Sequence, residues 1–86
     1  MKKFKYTITD PVGIHARPAG NFVKAVKNYE GSKVTISGNG KEADAKKLMA
    51  VMTLGIKQGQ EVELTVEGGD EDKAFEDIKE FMKHNL

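Results

Sequence analysis

No cysteine occurs in the 86 residues, which excludes a disulfide framework, a Cys-based zinc site and a thiol nucleophile. Tryptophan is also absent and aromatic residues reach only 7%, too few for the base-stacking surface of a small RNA-binding domain. No stretch approaches the roughly 20 apolar residues of a membrane span. Lys2 and Lys3 are followed by an alternating segment instead of an apolar run, so nothing reads as a signal peptide. An excess of charge of one sign is missing too. Fourteen Lys plus Arg meet 13 Asp plus Glu, leaving a net +1, which removes the broad electrostatic case for nucleic acid or an anionic membrane as partner. Apolar residues make up 38%, enough for one modest core near the lower size limit of unstapled domains. The expectation is a small cytoplasmic protein, one domain over residues 1–86, with little room for a deep active-site cleft.

What is present divides into two periodicities. Phe4, Tyr6 and Ile8 alternate with Lys3, Lys5 and Thr7. Val34 and Ile36 repeat that pattern, as do Val62, Leu64 and Val66 against Glu61, Glu63, Thr65 and Glu67. Alternation of this kind predicts half-buried strands, and a single polar face predicts an antiparallel sheet covered on one side. Ser37-Gly38-Asn39-Gly40 is a strong hairpin signal and predicts a fourth, short strand near Lys41 to Ala43. Ala19, Phe22, Val23, Val26 and Tyr29 form one helical stripe, stopped by Gly31. Ala74, Phe75, Ile78, Phe81 and Met82 form another. Asp70, Glu71 and Asp72 lie at the positive end of that last helix, and Lys83 and a solvated His84 at its negative end. A short helix runs from about Lys47 to Leu54, ended by Gly55. The order is β-α-β-β-α-β-α, an α+β fold with its helices packed on one sheet face.

Local chemistry departs from simple packing between Asp10 and Pro18. Asp10-Pro11-Val12-Gly13 suits a type I turn. It ends the first strand and delivers His15 to a helix start, which Pro18 pins at about Ala16 because proline is tolerated only in the first turn. The backbone N–H groups of Ala16 and Arg17 there have no intrahelical partner, and Arg17 adds a planar fork of donors suited to phosphate oxygens. A positive helix end and an arginine both disfavour imidazolium, so His15 should be neutral and nucleophilic at pH 7. Once the ring carries a phosphoryl group, the same charges attract it. An isolated histidine at a helix start is commonly a cap or a solvated residue; the turn, Arg17 and Pro18 set this one apart. No nearby carboxylate, serine or second histidine completes a triad, and no ligand-spaced partner supports a metal. The site suits accepting and donating a phosphoryl group, without cofactor, more than catalysing hydrolysis.

The middle helix adds a second surface. At about 100° per residue, Leu48, Met49 and Met52 share one arc, with Val51 and Leu54 roughly opposite. If Val51 and Leu54 enter the core, the other three form an exposed, adaptable methionine-rich patch. A fully buried helix, or a contact between copies, remain the other two readings of the same pattern. On the first helix Gly20, Lys24 and Lys27 continue from Ala16 along the face away from the core stripe, extending a basic docking surface beside His15.

These residues carry a resemblance. Gly13-Ile14-His15-Ala16-Arg17-Pro18-Ala19 resembles the active-site signature of the HPr family, the histidine-containing phosphocarriers of the bacterial sugar phosphotransferase system. Asp44 to Gly55 resembles its second hallmark, and the similarity extends along essentially the whole chain. The resemblance implies an open-faced β-sandwich, with three helices over a four-stranded antiparallel sheet. It implies a carrier, not an enzyme, phosphorylated on Nδ1 of His15 by enzyme I and discharged to IIA components of sugar transporters. It makes Arg17 the phosphate-interacting arginine and Lys47, Leu48, Met49 and Met52 part of the partner-docking surface, in a protein expected to be monomeric.

Two departures bear on that role. Many Gram-positive members carry a regulatory serine where this chain has Lys47, so phosphorylation at that position is chemically impossible here. Lys46 and Lys47 also set two positive charges against the macrodipole at a helix start, and Asp44 is expected to lie close enough to offset part of this. Val12 replaces a small polar residue often found there and removes one side chain able to hydrogen-bond near His15. A regulatory phosphorelay paralogue, or a partner-binding adaptor, is the alternative on the same fold.

Overall fold

A computed structural model describes residues 1–9 and 16–86, with the backbone alone at 16–18. The turn expected at Asp10 to Gly13, and His15 itself, lie outside the described residues. The elements are β1 (Lys2–Thr7), α1 (Ala16–Val26), β2 (Lys33–Gly38), β3 (Lys41–Asp44), α2 (Leu48–Thr53), β4 (Glu61–Glu67) and α3 (Glu71–Asn85). They form one four-stranded antiparallel sheet in the order β1-β4-β2-β3, with three helices on one face. This is the predicted fold.

Strand alternation decides which face is covered. Val34, Ile36, Val62, Leu64 and Val66 are buried against Phe22, Val26, Val51, Ile78 and Met82 of the helices. Facing the other way, Lys3, Lys5 and Thr7 of β1 stand opposite Thr65, Glu63 and Glu61 of β4. Cross-strand pairing of opposite charges such as Lys5 with Glu63 suits a solvated sheet face. Phe4 and Tyr6 are half-buried because β1 is an edge strand. Phe75 of α3 covers Phe4 edge-on, with ring centroids 6.1 Å apart.

The hairpin signal is realised as a two-residue turn. Asn39 (φ 52°) and Gly40 (φ 74°) are both left-handed, which matches the twist of the flanking strands, and Gly38 pairs with Lys41 to close it. β3 runs one residue further than expected, to Asp44.

The first helix is shorter than its stripe suggested. α1 ends at Val26, although Lys27 N–H still bonds to Val23 O at 2.9 Å. Asn28 N–H then bonds to Ala25 O and Tyr29 N–H to Val26 O, bonds spanning three residues instead of four. Tightening of the chain carries Tyr29 back onto the core edge, so an apolar residue in helical register lies outside the helix. Beyond it Ser32 is buried and donates its hydroxyl to Gly68 O at 2.8 Å. α3 has Glu71 and Asp72 in its first turn and Lys83 and His84 in its last, as the macrodipole favours. His84 is solvated, with Glu80 Oε2 3.5 Å from its Nε2. No helix among the described residues is long and apolar enough to cross a membrane.

Candidate functional site

α1 starts at Ala16, the residue after His15, where Pro18 led the start to be expected. The backbones of Ala16 and Arg17 therefore occupy the first turn, whose N–H groups lack intrahelical acceptors. No acidic residue lies in that turn, so nothing on the helix itself opposes an incoming anion. The side chains of Ala16 and Arg17, like His15, lie outside the described residues.

Further along α1 the outward face is as expected. Lys24 is exposed, and a Cβ placed on Gly20 would meet nothing within 4 Å. Lys27 is exposed one residue past the helix end, its amide still in helical register. The face opposite Phe22, Val23 and Val26 is therefore open and basic.

α2 packs beside α1 and divides into two sides. Val51 and Leu54 are buried, whereas Met49 is 74% exposed and Leu48 38% exposed. Together with the terminal Met1 these are the exposed large apolar side chains among the described residues. Met52 is half-buried against the core edge, so it contributes a margin of the patch and Met49 its centre. Full burial of the helix, one of the readings left open by the sequence, is excluded. Lys47 is exposed and stands at the helix cap with extended backbone, φ −115° and ψ 110°.

The two lysines at the start of α2 behave differently from one another. Asp44 is turned toward them, as expected, and its Oδ1 accepts a hydrogen bond from Lys46 N–H at 2.9 Å. The Lys46 ammonium, however, leaves the helix start altogether. It donates to Tyr29 O at 2.9 Å, Glu30 O at 3.3 Å and Ser32 O at 2.7 Å, all in the segment after α1. That spends its charge at the negative end of one helix instead of the positive end of another. Sequence reasoning missed this contact because residues 14 to 17 positions apart carry no local signal.

Among the described residues, the titrations that shift belong to structural pairs elsewhere. Tyr29 is pushed up to about 12, chiefly by its hydrogen bond to Asp77, which is itself held below the usual carboxylate range. Glu71 is lowered, first by the N-terminal ammonium and then by Gly68 N–H, and Lys2 is raised by Asp72. A polar groove lined by Ser37, Lys41, Glu42 and Glu63 lies on the uncovered sheet face, across the sheet from the helices. Its charged, open walls do not resemble the concave apolar cavity of a small-molecule site. On the helical side, exposed Leu48 and Met49 of α2 lie on a helix packed beside α1, whose outward face carries Lys24.

Similarity to known proteins extends over almost the whole chain. A family model described as the PTS HPr component phosphorylation site matches residues 2–84. The chain is 42% identical over 82 residues to the phosphocarrier protein HPr of Mycoplasma capricolum, covering 95% of this chain and 91% of that one. The structure is similar to that of the histidine-containing phosphocarrier protein of Mycoplasma, with TM-score 0.90, 40% identity, and coverage of 96% and 93% of the two chains. It is also similar to Crh, the catabolite repression containing protein of Bacillus subtilis, a swapped and intertwined dimer, with TM-score 0.76, 31% identity, and coverage of 100% and 98%.

Proposed function

The chain belongs to the HPr family of phosphocarrier proteins of the phosphotransferase system, and from that premise we propose that His15 accepts a phosphoryl group from phospho-enzyme I and passes it to IIA components of sugar permeases. In the first step the Nδ1 lone pair of neutral His15 attacks phosphorus. A P–N bond forms as the bond to the donor breaks. In the second step that P–N bond breaks as the acceptor's nucleophile takes the phosphoryl group. The chain is the substrate of its partners' chemistry and not itself an enzyme.

The observation that carries this reading is the start of α1 immediately after His15. A helix N-terminus favours an anion by about 0.3–1 kcal/mol when exposed, a modest hold on a group that must be given away again. Arg17 in the same turn supplies a permanent positive charge for the phosphate oxygens. Leu48, Met49 and the edge of Met52 on α2, with Lys47 at its cap, and Gly20 and Lys24 on α1, with Lys27 just past its end, form the docking surface in this reading. A basic surface with an apolar centre suits acidic partner proteins. The protein acts as a monomeric cytoplasmic domain over residues 1–86 and uses no bound cofactor or metal.

Incubation with phosphoenolpyruvate and enzyme I tests the carrier reading. The wild-type protein should take up one acid-labile phosphoryl group, and His15→Ala none; incorporation unchanged by that substitution would sink the site assignment. The likeness to Crh favours a second reading, a regulatory phosphorelay paralogue. Lys47 has no hydroxyl to phosphorylate, which argues against serine-dependent control. Discharge of the phosphorylated protein to a panel of IIA domains separates the two, since transport requires rapid transfer to at least one of them.

A further inference from the structure

α2 is six residues long, well short of the length at which a helix persists in water by itself. Within the helix only Val51 is fully buried, while Leu48 and Met49 face solvent. Core burial on one side is a thin basis for holding an exposed apolar patch in a fixed position. Two side chains from outside the helix tie down the chain at its two flanks: Lys46, two residues before it, reaches away to the segment after α1, and Asn39 reaches in to the carbonyls that follow it.

At the N-terminal side, an ammonium has three N–H donors, and that of Lys46 has three acceptors: the carbonyls of Tyr29, Glu30 and Ser32. The residue two before Leu48 is thereby tied to the chain leaving α1. At the C-terminal side, Asn39 in the β2–β3 turn directs Nδ2 to Leu54 O at 2.8 Å and Gly55 O at 3.0 Å. These carbonyls follow the last turn and would otherwise need water or a ligand. The Asn39 amide can be placed in one sense only. Two carbonyls face its nitrogen, and its Oδ1 accepts from Gln60 Nε2 at 2.6 Å. Gln60 Oε1 in turn accepts from Lys57 N–H at 2.7 Å, so the amide pair is fixed on both sides.

We propose that Lys46 and Asn39 are positioning residues of the partner-docking surface, clamping α2 at its two ends so that Leu48 and Met49 are presented in one fixed arrangement. The inference rests on the reading of α2 as a docking helix. Neither side chain belongs to the exposed apolar face, so removing either leaves the docking atoms in place and loosens what holds them.

The test uses Lys46→Met, which keeps the stem and removes the ammonium, Asn39→Gly, which keeps the left-handed turn and removes the amide, and Lys46→Arg, which retains donors for the carbonyls. Steady-state phosphorylation of the intact protein by phospho-enzyme I is measured beside amide hydrogen exchange. Each of Lys46→Met and Asn39→Gly should raise KM for the carrier about tenfold with kcat within about twofold, the pattern of lost uniform binding. Amides of residues 51–55 should exchange about tenfold faster while those of β4 are unchanged, and Lys46→Arg should restore most of both effects. Unchanged exchange in α2, or equal acceleration in β4, overturns the clamp. Faster exchange in α2 with unchanged KM overturns its role in docking. If the wild-type protein takes up no phosphoryl group, the carrier reading falls, and the exchange pattern still decides the clamp.

Discussion

The Tyr29 hydroxyl donates a hydrogen bond to Oδ2 of Asp77, joining the chain that leaves α1 to the middle of α3. Lys73 Nζ lies 3.4 Å from the same oxygen. The bond lowers Asp77 and raises Tyr29 from 10.0 to about 12, and both shifts translate into pH dependence. A depressed carboxylate contributes stability above its unfolded value, near 4, and loses it as pH falls through the folded value. A raised phenol contributes below 10 and loses its contribution between 10 and about 12. Urea midpoints of wild type and Tyr29→Phe should therefore differ at neutral pH and converge at both extremes.

Met49 and Val51 lie on opposite sides of α2, 74% and 0% exposed. Met49→Asp should leave stability within about 0.5 kcal/mol and weaken phosphorylation by enzyme I. Val51→Ala should cost about 2 kcal/mol through lost burial and a residual cavity. Chemical denaturation of both variants checks the orientation of the helix. A large loss in Met49→Asp with none in Val51→Ala would reverse it.

Gly69 faces Gly31 across the space between the end of α1 and the start of α3. A Cβ at Gly69 would sit 2.6 Å from Gly31 C and 2.7 Å from Gly31 O, on a backbone at φ 59°. The obstacle is main chain, which cannot swing aside. Gly69→Ala should destabilise by about 2–4 kcal/mol, combining left-handed strain with overpacking. Gly20→Ala is the control, since space there is open, and should stabilise slightly through helix propensity. Thermal unfolding of the two variants gives opposite signs if this packing is right.

Arg17 lies in the first turn of α1. Arg17→Ala should slow phosphoryl transfer about 100-fold, the scale expected for one positioned donor, with stability changed by less than about 0.5 kcal/mol. Arg17→Lys should recover part of the rate because it keeps charge but not the planar fork. Rapid-quench transfer with parallel melting curves measures both quantities.

Local pattern made the sheet legible: alternation at Phe4–Ile8 and Val62–Val66, and the Asn39-Gly40 turn, each state their own conformation in a few residues. The arc argument on α2 was equally readable, because one helix on one sheet can bury only one side. Tyr29 misled, since its spacing from Val26 is helical while the chain between them tightens out of the α-helix. The contacts of Lys46 and Asn39 were not legible at all. They run from side chain to main chain across 14 to 17 residues, and main-chain acceptors have no identity in a sequence. His15 and Arg17 were found by motif and resemblance, and their side chains lie outside the described residues.

The sheet order also sets a timetable. β4 is the neighbour of both β1 and β2, so a nascent chain emerging from its N-terminus can pair only β2 with β3 until residues 61–67 have been made. Until then β1 has no strand to join, and the apolar sides of β2 and α1 lack most of their cover. Interior closure is thus a late, long-range event, of the kind that slows folding and leaves strand edges open to other chains on the ribosome.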